Sequence, residues 1–342
     1  MRETFGSVLA ATMVSSRTRE GVFEPWRAHP VEPLALPPAA HALHYGSACF
    51  EGLKAHRGGD GLVRLFRLSD HVERMQASAA AVCLPVPDGE LLLAMIHAAV
   101  QANLDEVPAS PGALYLRPTL IGVDPSIGAA ATPSQEALLF VLASPVGDYF
   151  TGRRALTLSV ETELPRSTPH FGTVKAGANY AMALGVIQRA KVEHGADQVL
   201  FAPGGDVQET GASNFVLLDD SRLVTKALDR SFLHGITRDS LLHIARDLGY
   251  AVEERDISVD ELLVWAPRGE AALVGTAAVM SGVGSLVHDG ARVQVGDGEV
   301  GPNTTRLRET LLAVQRGEEP DRWGWTEPVA AAAGGRPQAE RR

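Results

Sequence analysis

Basic residues are in short supply: 31 Lys and Arg face 41 Asp and Glu, a formal net charge of −10 over 342 residues. Nucleic acids and anionic membranes need basic patches, so neither is expected as a partner. Cysteine is nearly absent. Cys49 and Cys83 form neither a CxxC pair nor a zinc spacing, so no disulfide framework or metal site is expected, only two reduced, buried thiols in a cytoplasmic setting. Long apolar runs are missing as well; none approaches the ~20 residues of a membrane span. The stretch from Val8 to Val14 is short and follows Glu3, which argues against a secretory signal. What remains, 45% hydrophobic and 21% charged, is the composition of a globular protein with room for two domains.

Proline clusters at 25, 30, 33, 37 and 38 predict an extended surface segment, followed by a strand from Tyr45 to His56. Asp70, with Glu73 three residues on, reads as the N-cap of a helix to about Val82 that buries Val72, Met75, Ala79 and Val82 and turns Arg74 off the apolar stripe. A second helix covers 90–103. Ala113–Gly122 alternates as a strand, which puts Tyr115 and Arg117 on one face. Pro145–Asp148 marks a boundary. The expected organisation is a smaller domain over 1–147, a linker at 148–154, a larger domain over 155–329 and a disordered tail at 330–342.

Lys175 lies after a strand-like pair and just before a helix whose apolar teeth would be Ala181, Leu184, Ile187 and Ala190. A lysine held at such a junction can be desolvated, which suits Schiff-base chemistry with a carbonyl cofactor. Downstream stand Gln208–Phe215 between two strand-like runs, His234-Gly235-Ile236-Thr237-Arg238 opening a helix that Gly249 stops, and Gly275-Thr276-Ala277-Ala278 after an apolar run. Together with Tyr45–Gly52 and Tyr115–Pro118, this ordered set resembles the class IV pyridoxal 5′-phosphate (PLP) aminotransferases over roughly residues 5 to 326. Within them it is most similar to the branched-chain amino acid aminotransferases.

The resemblance implies an α+β architecture of fold type IV, two α/β domains with the cofactor site between them. It implies that Lys175 binds the PLP aldehyde covalently and later shuttles the substrate proton. Tyr180 would bond the phenolic oxygen of PLP, and Glu209 would face the pyridine nitrogen and keep it protonated. Gly235, Ile236 and Thr237 at a helix start would cradle the phosphate, with Arg74 and Thr276 completing that site. Phe5, Tyr45, Phe50 and Tyr115 would line an apolar side-chain pocket. Arg117 would meet the distal carboxylate of glutamate or 2-oxoglutarate, and Ala277 and Ala278 would offer N–H groups to the α-carboxylate. The loop 122–129, with Ile127 and Ala129, resembles one that enters a neighbouring subunit's pocket, which implies a homodimer or higher assembly.

The chain also departs from the family. His234 stands where Pro is usual, Ala178 where a second Gly often precedes Asn-Tyr, Pro169-His170 where many relatives have a Gly pair, and Ala129 where valine is frequent. Ala278 and Ser281 occupy the places of the redox-sensitive CxxC of mammalian forms. None removes a residue of the PLP chemistry, yet they leave room for an unusual bulky amino acid. The expectation is a transaminase acting between branched-chain L-amino acids and 2-oxoglutarate. The alternatives are a D-amino acid transaminase or aminodeoxychorismate lyase of the same fold, or a non-catalytic PLP-binding protein.

Overall fold

The computed structural model describes residues 5–147 and 154–330. Residues 148–153 of the expected linker and 331–342 of the expected tail lie outside them. Two sheets organise the chain. The first is built from β1 (Thr12–Arg19), β2 (Val22–Phe23), β3 (Arg27–Pro30), β4 (Ala48–Phe50), β5 (Leu53–Arg57), β6 (Val63–Phe66), β7 (Ala113–Gly122), β8 (Ala137–Val146) and the late strand β17 (Thr326–Pro328). Its main path runs β17-β6-β5-β7-β8-β1-β2. The second contains β9 (Leu156–Glu161), β10 (Gln198–Phe201), β11 (Asn214–Leu218), β12 (Arg222–Thr225), β13 (Ala251–Glu254), β14 (Glu270–Gly275), β15 (Val279–His288) and β16 (Ala291–Gln294). Its path is β10-β9-β15-β14-β11-β12-β13, with β16 on β15.

Hydrophobic patterning explains the layers. Helices α2 (Leu68–Ala81) and α3 (Gly89–Ala102) present Val72, Met75, Leu92, Met95 and Ile96 to Leu114, Leu116, Leu139 and Val141 of the first sheet. Strand β11 is apolar at every position after Asn214 because both faces are covered. Phe215 and Leu217 pack with Leu262 of α6 (Val259–Trp265), while Val216 and Leu218 pack with Leu241 and Leu242 of α5 (Ile236–Asp247) and Leu307 and Leu311 of α7 (Pro302–Arg316). No helix among the described residues is long and apolar enough to cross a membrane.

Several expectations need correcting. The segment Tyr45–His56 is not one strand: Tyr45 ends the short helix α1 (His41–Tyr45), Gly46 turns with φ 63°, and β4 and β5 are separated at Glu51-Gly52. Asp70 is not the N-cap of α2. That position belongs to Arg67 at φ 53°, and the Asp70 carboxylate binds the Arg67 guanidinium instead. Thr173-Val174 before Lys175 is a turn rather than a strand. Helix α4 (Gly177–His194) forms, yet Ala181 and Leu184 are exposed and the buried positions are Asn179, Ala183 and Ala190. Cys49 is buried and its thiol is pushed up to about 12, by burial first and then by Glu51, whereas Cys83 is exposed.

The turn leading to Lys175 is pinned at Gly172, where an added Cβ would lie 2.1 Å from the Ser231 carbonyl carbon and 2.4 Å from the Phe232 nitrogen. Those neighbours are backbone and cannot rotate away. We expect Gly172→Ala to destabilise the protein by upward of about 2 kcal/mol. Chemical denaturation checks this; an unchanged midpoint would mean that the 171–175 turn moves freely against 231–232.

Candidate active site

A cavity of about 490 Å³ opens between the two sheets, with Lys175 in its wall. Lys175 is clamped at the backbone: its N–H donates to Ser78 Oγ on α2 (3.1 Å) and its carbonyl accepts from Phe50 N (3.0 Å). The Asn179 side chain donates to the carbonyls of Phe171 and Val174 (3.0 and 2.8 Å), fixing the preceding turn against the start of α4. Lys175 Nζ donates to the Tyr180 hydroxyl at 3.1 Å and lies 5.2 Å from the Phe50 ring centroid. Burial alone would push the Tyr180 phenol up, but the neighbouring Lys175 and Arg166 cations outweigh it and hold the phenol below its ordinary value.

Glu209 is buried at one end of the cavity. It accepts from Leu233 N (3.1 Å), lies 3.4 Å from Asn214 Nδ2 and pairs with Arg166 at 2.7 Å. Burial raises the Glu209 carboxyl, and Arg166 recovers only part of that shift. Arg166 also donates to the Gly211 carbonyl (3.1 Å) and sits 5.1 Å from the Tyr180 ring centroid, so one guanidinium braces both groups.

Gly235, Ile236 and Thr237 line the cavity at the N-terminus of α5, where no side chain caps the helix. A Cβ at residue 235 would lie 1.9 Å from Asn214 Oδ1, so any larger residue there would push Asn214 off its bond to the Leu233 carbonyl. The Thr237 and Thr276 hydroxyls are 3.5 Å apart. Arg74 reaches across from α2 and donates to the His234 carbonyl at 3.0 Å. That contact uses the main chain of residue 234 and not its side chain. Behind Arg74 lies Glu51, which accepts from its Nε and Nη2 (2.6 and 2.9 Å) and from His71 Nδ1 (2.8 Å). Burial would raise Glu51, but Arg74 and His71 hold it far below the carboxylate range.

Phe5, Phe50, Tyr115 and Arg117 form the remaining wall. Phe5 meets Tyr115 edge-on at 5.0 Å, and Arg117 donates to the Tyr115 hydroxyl (2.8 Å) while its guanidinium lies 4.5 Å from the Phe50 centroid. Gly52 admits that hydroxyl, which would lie 2.0 Å from a Cβ. Thr276 and Ala277 line the cavity, while Ala278 is buried outside it, its carbonyl accepting from Arg308. Tyr45, Ile127 and Ala129 are also outside this wall. Ile127 is 71% exposed, and its carbonyl accepts from the Tyr45 hydroxyl.

Residues 48–286 match the model of the amino-transferase class IV family. The chain belongs to the class IV aminotransferases. It is 39% identical to a probable branched-chain-amino-acid aminotransferase of Streptomyces coelicolor, over 88% of this chain and 85% of that one. Among solved structures, a branched-chain amino acid aminotransferase of T.th., complexed with N-(5′-phosphopyridoxyl)-L-glutamate, superposes with a TM-score of 0.77 at 29% identity, covering 95% of this chain and 100% of that one. The same T.th. enzyme complexed with 4-methylvaleric acid gives 0.77 at 28% identity and the same coverage.

The protein is therefore a PLP-dependent aminotransferase with the α+β class IV fold. The side chains fit that cofactor on their own terms. An amine faces the cavity, a buried carboxylate stands at one end, and an arginine with an uncapped helix start and two hydroxyls stands at another. Sequence reading missed Glu51, His71, Arg166 and Asn214 as parts of this arrangement. Arg166, in a loop between Pro165 and Pro169, carries no local sign of burial.

Proposed function

We propose that this aminotransferase moves the amino group between branched-chain L-amino acids, or a related bulky apolar amino acid, and 2-oxoglutarate. The observation that carries the reading is Arg117, a cation set among the aromatic rings of Phe5, Phe50 and Tyr115, with its Nε buried and without a partner among the described residues. An apolar pocket with one polar anchor can take either a leucine-like or a glutamate-like side chain. The glutamate adduct and the 4-methylvaleric acid in the T.th. complexes support both halves of that reading.

Bound between Lys175, Glu209 and the α5 start, the cofactor supplies the electron sink for breaking the substrate Cα–H bond. Lys175 Nζ takes and returns the proton at Cα, and Tyr180 holds the amine in place through the hydroxyl it already contacts. Glu209, braced by Arg166, keeps a negative charge against the ring nitrogen. Arg74, Ile236, Thr237 and Thr276 hold the phosphate. Ala277 presents its main chain to the α-carboxylate. The exposed Ile127 and Tyr45 suit a homodimer in which loop 122–129 completes a neighbour's pocket, in a cytoplasmic enzyme.

A screen of amino donors with 2-oxoglutarate as acceptor tests the substrate reading; preference for something other than leucine, isoleucine or valine would overturn it and spare the chemistry. Arg117→Met should raise the KM for 2-oxoglutarate by roughly ten- to a hundredfold and leave that for leucine nearly unchanged. Steady-state kinetics with both substrates checks this, and equal losses would remove Arg117 from the distal-carboxylate role.

A further inference from the structure

The phosphate end of the cavity is made of two pieces from different parts of the chain: Arg74 on α2 and the start of α5. Arg74 itself reaches α5's side through one hydrogen bond, to the His234 carbonyl. A second arginine, outside the cavity, joins the two helices more firmly. Arg67, the residue before α2, donates from Nε and Nη2 to Asp70 in the first turn of α2 (2.8 and 2.9 Å). Its Nη1 donates to Asp239 (2.5 Å), to Ser240 Oγ (3.1 Å) and to the carbonyl of Ile236 (3.4 Å), all in the first turns of α5. The planar fork of a guanidinium suits such a divided grip, which an ammonium could not reproduce.

The C-terminal segment holds Arg67 in turn. Its N–H donates to the Trp325 carbonyl at 2.6 Å, and its guanidinium lies 5.3 Å from the Trp325 ring centroid. Trp325 is stacked on Trp323 at 4.3 Å and braced edge-on by Phe66 and His243, each at 5.8 Å. Arg67 has φ 53°, a left-handed conformation for a residue with a Cβ. Such a conformation persists where the surroundings over-determine it. Trp323-Gly324-Trp325 thereby acquires a place in the architecture of the site, far along the chain from the helix it helps to fix.

We propose that Arg67 is a positioning residue for the cofactor phosphate: it sets the separation between Arg74 and the N-terminus of α5, and so the affinity for PLP, without touching the cofactor. The inference rests on the reading that Arg74 and the α5 start bind the phosphate. Loss of these charge-assisted bonds lets the two halves of the cradle drift, and a misplaced anion site binds less tightly.

The test compares PLP with pyridoxal, which has the same aldehyde and no phosphate. Apo protein is titrated with each, following the visible absorbance of the lysine-bound aldehyde. Arg67→Gln should weaken PLP by roughly ten- to a hundredfold and leave pyridoxal unchanged, with Arg67→Lys in between. An equal loss for both ligands would reduce Arg67 to a support of the fold, and no loss for either would remove it; each result overturns the proposal. The double variant Asp239→Ala with Ser240→Ala, which removes both side-chain partners on the α5 side of the grip, decides the matter should Arg67→Gln not fold: a PLP-specific loss supports the proposal and unchanged PLP affinity overturns it. Arg74→Gln separates the two layers of argument, because unchanged PLP affinity there would sink the phosphate reading itself.

Discussion

Lys175→Ala protein is expected to be colourless in the visible after incubation with PLP and dialysis, and to lose transaminase turnover by roughly four orders of magnitude or more. Among the described residues, Lys175 is the only lysine on the cavity wall, and its backbone is fixed on both sides by Ser78 and Phe50. Removing the side chain therefore leaves the fold in place and takes away the group proposed to bond the aldehyde and to carry the Cα proton. Borohydride should fix the cofactor on the wild type and not on the variant. A second consequence is electrostatic. With Lys175 gone, burial of Tyr180 is opposed chiefly by Arg166, so its phenol should titrate higher than in the wild type. Ultraviolet difference spectra across alkaline pH read this directly. A coloured variant, or one with substantial turnover, would place the chemistry on another amine.

Glu209→Gln should be the next most damaging change, and for two separable reasons. It removes the negative charge proposed to face the ring nitrogen, which should lower kcat by at least about a hundredfold. It also leaves Arg166 buried without its partner. Breaking one side of a buried ion pair costs about 3–5 kcal/mol, which a lowered melting temperature would show. The double variant Glu209→Gln with Arg166→Met should recover part of the stability and none of the rate, since the unpaired cation is gone and the lost charge is not restored. Recovery of rate in the double variant would contradict the role given to Glu209.

Acid should act on the same carboxylate. Burial raises Glu209 above an ordinary glutamate, so the folded protein takes up this proton more readily than the unfolded chain. As pH falls, Glu209 is neutralised before an exposed carboxylate would be, and its grip on the ring nitrogen weakens. The acid limb of PLP affinity should therefore begin above the usual carboxylate range. Glu51 behaves in the opposite sense. Its carboxyl is depressed by Arg74 and His71, so its contribution to folding is complete above the normal range and is lost only as pH drops below it. The support behind Arg74 should outlast the contact at Glu209 on acidification.

Much of this site could be read along the chain because its parts are short local motifs. A lysine ahead of a helix, a glycine at a helix start, and Tyr115 and Arg117 two apart on a strand each have a local physical signature, and each lines the cavity. Helix α4 shows where such reading fails. Its small apolar residues lie on all sides, so periodicity has no unique phase; the rotation is set instead by Asn179 bonding back to Phe171 and Val174. Ala181 and Leu184, expected inside, face outward for that reason. The Asp70 cap failed on similar grounds: the local capping pattern lost to a guanidinium that also had Asp239 within reach.

The order of residues along the chain, with the family resemblance it carries, was enough to expect the ingredients: a globular α+β protein, an amine held ahead of a helix, an acid, a helix start for an anion, and an aromatic wall with an arginine in it. Which charges are buried was settled only when the chain folded. Arg166 and Glu209 are 43 positions apart in the numbering, and Glu51 and Arg74 are 23 apart; neither pair has any local pattern to announce it. Burying a charge is costly unless its partner arrives from elsewhere in the fold, so the information that makes these residues interior lies in the meeting of distant segments and in no single one of them.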